Sequence, residues 1–240
     1  MRRADHDAPR GVAGVNMYGA YLPVGAPLDS PPEDWTIIQA PLVEQPAGEW
    51  DGAGAETPSH VYGLDESTGE WQSRIYYRGY PSGAVWNNEG PVQVGYLYWD
   101  GSIWQRYGPP VLTAEHDFER WGQYSFLGEP TARYFDGGWH IWYLAGIPPN
   151  LVHATSTDGR TWIDRRIMWA ETATNLDVIR VGDHYEPVPP SVAHAAANTT
   201  EHAAANTFSC VMRTSSDHQI VNVRPIARFR IVASRNRPAV

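Results

Sequence analysis

The pattern Asp-Gly-x-x-Trp occurs twice, at Asp100-Gly101-Ser102-Ile103-Trp104 and at Asp158-Gly159-Arg160-Thr161-Trp162, each time after an alternating apolar run. One copy is an ordinary tight turn, because Asp-Gly tolerates the positive φ such turns need. Two copies in matching surroundings constrain the fold far more, because they imply a repeated structural unit. From Pro41 the chain reads PLVEQPAGEW, AETPSHVYGL, EWQSRIYYRGY and VQVGYLYWDGSIWQRY. From Pro110 it reads PVLTAEHDFERW, GEPTARYF, GGWHIWYLAG and NLVHATSTDGRTWIDR. In both, a loop ending in Trp (Trp50, Trp121) precedes an acid close to a proline (Glu56 and Pro58; Glu129 and Pro130). An aromatic pair (Tyr76-Tyr77; Trp142-Tyr143) and the Asp-Gly turn follow. The extra residues of the first copy fall in DESTGE and PSGAVWNNEGP, loop-like stretches that accept insertion.

Each copy predicts four short strands. In the second they fall at 130–135, 138–145, 151–156 and 161–165, with Asp136-Gly137-Gly138 as the first hairpin and Asp158-Gly159 as the third. Four-stranded antiparallel sheets at this period are the pattern of propeller blades. The expected fold is therefore all-β, an incomplete β-propeller of four-stranded antiparallel blades with an irregular C-terminal tail. Trp104 and Trp162 are expected to pack between neighbouring blades, and Asp100 and Asp158 to serve their turns. A third copy begins in NLDVIRVGDHYE (175–186) and stops. From Pro187 onward HAAANT occurs twice, a low-complexity run followed by an Arg-rich tail without clear strand pairing. This abrupt change suggests truncation or a shift of reading frame. The expected division is 1–34, poorly ordered or the remnant of an earlier blade; 35–186, the blades; and 187–240, an aberrant tail.

Composition narrows the function classes. The 240 residues carry a net charge of −9 with no Lys, so the electrostatic footprint of a nucleic-acid binder is missing. The single cysteine, Cys210, permits neither an intrachain disulfide nor a Cys-based zinc site. No apolar stretch follows the N-terminal MRRADHDAPRG, and no apolar run approaches the length of a membrane span. The expectation is a soluble, cytoplasmic protein, with secretion neither required nor excluded and no membrane partner. His60, His140 and His153 fall in different strands, and no metal site or cofactor is expected.

The run EPTARYFDGGWHIWYLAG followed by ATSTDGRTW resembles the five-bladed β-propeller glycoside-processing superfamily, which includes arabinanases, β-xylosidases, invertases, levansucrases and mannoside phosphorylases. The resemblance covers residues 35–186 and is specific for architecture more than for substrate. It implies an active site in the funnel on the propeller axis, lined by acids from the starts of the innermost strands of different blades. One carboxylic acid there protonates the leaving oxygen while a second carboxylate activates water or attacks the anomeric carbon. The positions this implies are Glu56, Glu129 and Asp177, each just before the first strand of its unit, with Asp51 in the preceding loop as a further candidate. Glu129, in GEPT, most resembles the family's general acid. The loop aromatics Trp86, Trp121 and Tyr124 suit either sugar stacking or packing between blades. Arg133 and Arg74 could bind hydroxyls or a carboxylate, or lie on the surface. The implied function is a carbohydrate-active protein that cleaves glycosidic bonds with paired carboxylates. The alternative is a non-catalytic or truncated glycan-binding propeller segment.

Overall fold

The computed structural model describes residues 15–23, 25–27, 29–42, 46–81, 90–170, 177–181, 184–188, 208–213, 218–223 and 229–235. Side chains from Val178 onward, Val178 itself excepted, lie outside that description, as do those of Val15, Gln39, Ala40 and Asp177. The strands are β1 (Val15–Tyr21), β2 (Thr36–Pro41), β3 (Gly54–Asp65), β4 (Glu70–Tyr80), β5 (Gln93–Trp99) and β6 (Trp104–Arg106). Next come β7 (Arg120–Trp121), β8 (Tyr124–Ser125), β9 (Leu127–Phe135), β10 (Gly138–Ala145), β11 (Asn150–Ser156) and β12 (Ile163–Trp169). The last are β13 (Asp177–Val181), β14 (His184–Val188), β15 (Phe208–Arg213), β16 (His218–Val223) and β17 (Phe229–Arg235).

The two copies become two antiparallel meanders, β3-β4-β5-β6 and β9-β10-β11-β12. The protein is all-β, built from four-stranded propeller blades. In the second blade the first three strands match the predicted positions closely. The fourth starts at Ile163 rather than 161, for a local reason. Asp158 Oδ1 accepts hydrogen bonds from the backbone N–H of Arg160 (2.7 Å) and Thr161 (2.8 Å), which holds the chain in its turn. Asp100 accepts from Ser102 and Ile103 in the same way, both at 2.8 Å. These bonds hold the Asp100 carboxyl well below the usual range. Both acids serve turns, as expected.

Alternation along the strands sorts the apolar residues between two faces. Val61, Tyr76, Val94 and Tyr96 of the first blade pack against Ala132, Trp139, Ile141, Tyr143, Val152, Ala154 and Trp162 of the second. Ile75, Tyr77 and Leu97, on the opposite phase, pack with Met17 of β1 and with Trp104. Each Trp of the repeated turn thus faces the preceding element. Trp162 is 3% exposed and meets Tyr76 edge to face at 5.7 Å.

Hydrogen bonds to backbone carbonyls help fix the two blades to each other. Arg74 Nη1 donates to the Asp158 carbonyl (2.6 Å), Tyr76 Oη to the Gly159 carbonyl (2.5 Å), and Trp139 Nε1 to the Leu64 carbonyl (2.7 Å). Gly159 has φ 66, and a Cβ there would run into Arg74 and the Tyr76 hydroxyl, so the turn needs glycine twice over. Arg74 is fully buried yet satisfied. It also bonds Gln72 and Asp65, and its guanidinium lies 4.6 Å from the rings of both Tyr96 and Trp139.

The far face of the second blade carries Phe135, Trp142 and Leu151 against Val178 of β13. Beside them His140 Nδ1 and His153 Nε2 lie 3.1 Å apart, with His140 stacked on Phe135 at 3.9 Å. The N-terminal strand signals correspond to β1 and β2, which pair antiparallel across the expected boundary at residue 34. The tail, expected to lack strand pairing, contains β15, β16 and β17, which extend the first sheet through β1. The HAAANT run, with His194 and His202, lies outside the described residues. No helix among the described residues is long and apolar enough to cross a membrane.

The histidine pair makes stability depend on pH. Burial, then the adjacent His140 and Arg166, lowers His153 to about 4, and burial lowers His140 against the raising influence of Asp136. The native state therefore holds His153 neutral, while the unfolded chain takes up its proton near 6.5. The contribution is complete above about pH 6.5 and is lost as pH falls toward 4, to a limit of about 3 kcal/mol. In urea titrations, wild type should lose more stability between pH 7 and pH 4.5 than His153→Gln. Equal losses would contradict the assignment.

Candidate functional site: a carboxylate rim at the starts of the inner strands

The first strands of successive units lie side by side. The Ala132 N–H in β9 donates to Ser59 Oγ in β3 (2.9 Å), and Arg133 of β9 donates from Nε to the Val178 carbonyl in β13 (3.3 Å). β3 and β9 thus lie side by side, and β13 reaches β9 through Arg133, toward the far end of that strand. Each of the first two carries a bulge at its acid-proline sequence. Pairing slips between Glu56 and Ser59 in β3, and between Gly128 and Thr131 in β9. Proline lacks an N–H for the ladder and tolerates such a break. At the bulge, Thr57 (φ 52) and Glu129 (φ 50) both adopt the left-handed region, which costs a non-glycine residue about 1–2 kcal/mol.

Register corrects the sequence alignment here by one residue. Ser59 lies opposite Tyr76, and Thr131 opposite Trp142, so Glu129 occupies the position of Thr57. Glu56, opposite Arg78, corresponds to Gly128, opposite Leu144. The two bulges still meet at one side chain. Arg78 Nη2 lies 2.5 Å from Glu56 Oε1, and the same side chain runs so close to Gly128 that a Cβ there would sit 2.6 Å from Arg78 Cδ. Glu129, half-buried, follows directly. Asp177 opens β13; its side chain lies outside the described residues.

Aromatic residues wall this end of the blades. Ala53, Tyr80, Val92 and Phe126 form a buried cluster on which Trp121 packs, 5.3 Å from Phe126 and edge to face with it. Tyr124 sits opposite Trp121 in the two-residue ribbon β7-β8. Trp86 falls in the 82–89 loop, outside the described residues. Arg133 is engaged at the joint between β9 and β13, since Nη1 also donates to the Ala132 carbonyl at 2.8 Å. Arg74, the other candidate arginine, belongs to the blade-to-blade joint. His60 lies 3.4 Å from Ser73 Oγ and edge-on to Trp104, away from the histidine pair. Among the described residues no group of three His, Cys, Asp or Glu side chains converges as a metal site would require.

Asp51 belongs to a different constellation, and that constellation is built twice. Its fully buried carboxylate accepts hydrogen bonds from Tyr77 Oη (2.6 Å), Arg106 Nε (2.8 Å) and Arg106 Nη2 (2.6 Å). In the second blade Glu119, equally buried, accepts from Tyr143 Oη (2.5 Å) and from Arg165 Nη1 at 3.3 Å to both oxygens. Tyr77 and Tyr143 sit in second strands, and Arg106 and Arg165 in fourth strands. The acid enters from the loop before the first strand. Burial first, and then the adjacent carboxylate, pushes both tyrosine hydroxyls upward, so they remain protonated donors. The match also shows that Trp50-Asp51 corresponds to Phe118-Glu119. Trp121 is not the partner of Trp50.

No protein-family model matches the sequence, and no curated protein does. Solved structures resemble it in backbone trace. BT0996, solved as an RGII complex, is 18% identical with a TM-score of 0.47, over 63% of this protein and 52% of that one. A thermostable family-43 glycoside hydrolase is 13% identical with a TM-score of 0.46, over 86% and 64%. A glycosyl hydrolase from Bacteroides ovatus is 13% identical with a TM-score of 0.39, over 76% and 49%. The chain therefore spans about half to two thirds of the length of these proteins. With TM-scores below 0.5 the likeness carries no weight for activity, which rests on this protein's own residues.

The paired constellations make opposite predictions for Asp51 as a structural or a catalytic group. Removing one partner of a buried ion pair costs about 3–5 kcal/mol. Asp51→Asn and Glu119→Gln should each lower unfolding free energy in urea by that order, whereas Asp100→Asn, in an exposed turn, should lower it far less. Unchanged stability in Asp51→Asn would return that residue to the catalytic candidates.

Proposed function

We propose that the protein is carbohydrate-active and that the rim at the starts of β3 and β9 is its glycosidic-bond site. The observation that carries this reading is Glu129. It is half-buried, held in a left-handed bulge beside the Glu56–Arg78 pair, and it belongs to a series of inner strands that each begin near an acid. Backbone strain at a carboxylate within a strand is the kind of feature that functional sites retain. In this reading Glu129 donates a proton to the leaving glycosidic oxygen. Asp177 supplies the second carboxylate, toward water or the anomeric carbon. Two groups are needed because one must give a proton while the other assists attack from the opposite side. Glu56, ion-paired to Arg78, orients that arginine toward sugar hydroxyls. Trp121 offers an apolar ring to the C–H face of a sugar.

A second reading is favoured by one specific observation. Asp51 is engaged with Arg106 and Tyr77, and Glu56 with Arg78. That supports glycan binding without turnover. The same variant separates the two. General acid–base assistance is worth about 10²–10⁴-fold, so Glu129→Gln should lose that much turnover on alkyl glycosides while retaining sugar binding. Undiminished turnover in Glu129→Gln would refute the general-acid role. A wild type that binds sugars without cleaving any of a panel would support the binding reading.

A further inference from the structure

At the opposite end of β3 from the carboxylate rim lies a cluster of rings that the proposed site does not use. Tyr62 and Trp71 stack at 5.3 Å with an interplanar angle of 29°, and Trp71 meets Tyr134 edge to face at 5.3 Å. Tyr134 in turn stands on the buried Trp139, 5.4 Å away, so the cluster is anchored to the joint between the blades. Yet Trp71 is 54% exposed and Tyr62 42%. Along a strand rising roughly 3.3 Å per residue, Tyr62 lies about 20 Å from Glu56. Exposed, co-stacked rings held from beneath by a buried Trp are pre-organised apolar surface, and such surface marks binding sites more often than chance.

The size and charge of the patch select its occupant. Three rings fall far short of the roughly 800 Å² per partner that a stable protein interface needs. They match the apolar C–H faces of one or two sugar rings. The turn leading into Trp71 carries Glu66 and Glu70, both exposed, which offer acceptors to hydroxyl groups. The nearby cations are committed: Arg74 is buried against Asp65, and Arg160 is bound to Asp65 and Ser67. The rim is therefore acidic and repels anionic polymers. We propose that Tyr62, Trp71 and Tyr134 form a second carbohydrate-binding surface, separate from the Glu129 rim, that takes a neutral glycan by ring stacking.

Native gel electrophoresis through soluble arabinoxylan or galactomannan, with polygalacturonate as the anionic counterpart, tests this. A neutral polysaccharide should slow wild type. Trp71→Ala should bind about tenfold more weakly, the order expected for one lost aromatic contact. Its unfolding should stay cooperative, with a thermal midpoint only modestly lower, because more than half of the ring is exposed. Weaker binding in Trp71→Ala, whose ring lies at the opposite end of β3 from Glu56, separates this surface from the proposed active site. The proposal is overturned if neither neutral polymer slows wild type, if Trp71→Ala is slowed equally, or if only polygalacturonate acts.

Discussion

Everything else in the structure depends on how the first blade grips the turn of the second. Arg74 and Tyr76 present N–H and O–H groups from β4, and the Asp158-Gly159 turn presents two carbonyls to them. These are buried polar groups, and leaving any of them unmatched would cost about 1–3 kcal/mol each. The bonds therefore fix one angle between blades and exclude others, which apolar packing alone does less sharply. That angle sets β3 beside β9, and so brings Arg78 against the bulges of both strands. The function proposed for the protein follows from this joint as much as from the acids themselves.

Within each blade a second device operates. A buried carboxylate, Asp51 or Glu119, ties the incoming loop to a tyrosine of the second strand and an arginine of the fourth. A sheet edge needs such fastening because the outermost strand has a neighbour on one side only. The fourth strand of the second blade is exposed along most of its length, and Arg165 is its inward anchor. The charge is costly to bury, and each carboxylate offsets that cost by accepting several bonds.

The architecture is legible in the sequence because its signals are local and repeated. Asp-Gly turns, alternation and the aromatic pairs locate strands without any knowledge of distant contacts. Asp100 and Asp158 are recognisable as turn acids for the same reason. The buried triads are not legible as such, since their members lie far apart in sequence. A signal is nonetheless present. Asp51 precedes Tyr77 by 26 residues and Arg106 by 55, and Glu119 precedes Tyr143 by 24 and Arg165 by 46. The acid-proline motif locates the bulge but not its register. A one-residue offset between Glu56 and Glu129 reverses which backbone position each occupies, and only strand pairing reveals it. The exposed Trp71 platform has no sequence signature, because ring exposure depends on which strands remain uncovered.

The most direct test of the account is native-state hydrogen exchange in wild type and Tyr76→Phe. The substitution removes one hydroxyl and leaves the Gly159 carbonyl buried without its donor. If the joint makes the two blades one cooperative unit, amides in β3–β5 and β9–β11 should lose protection together and by the same free energy. Loss of protection confined to β3–β5, with β9–β11 unchanged, would contradict it.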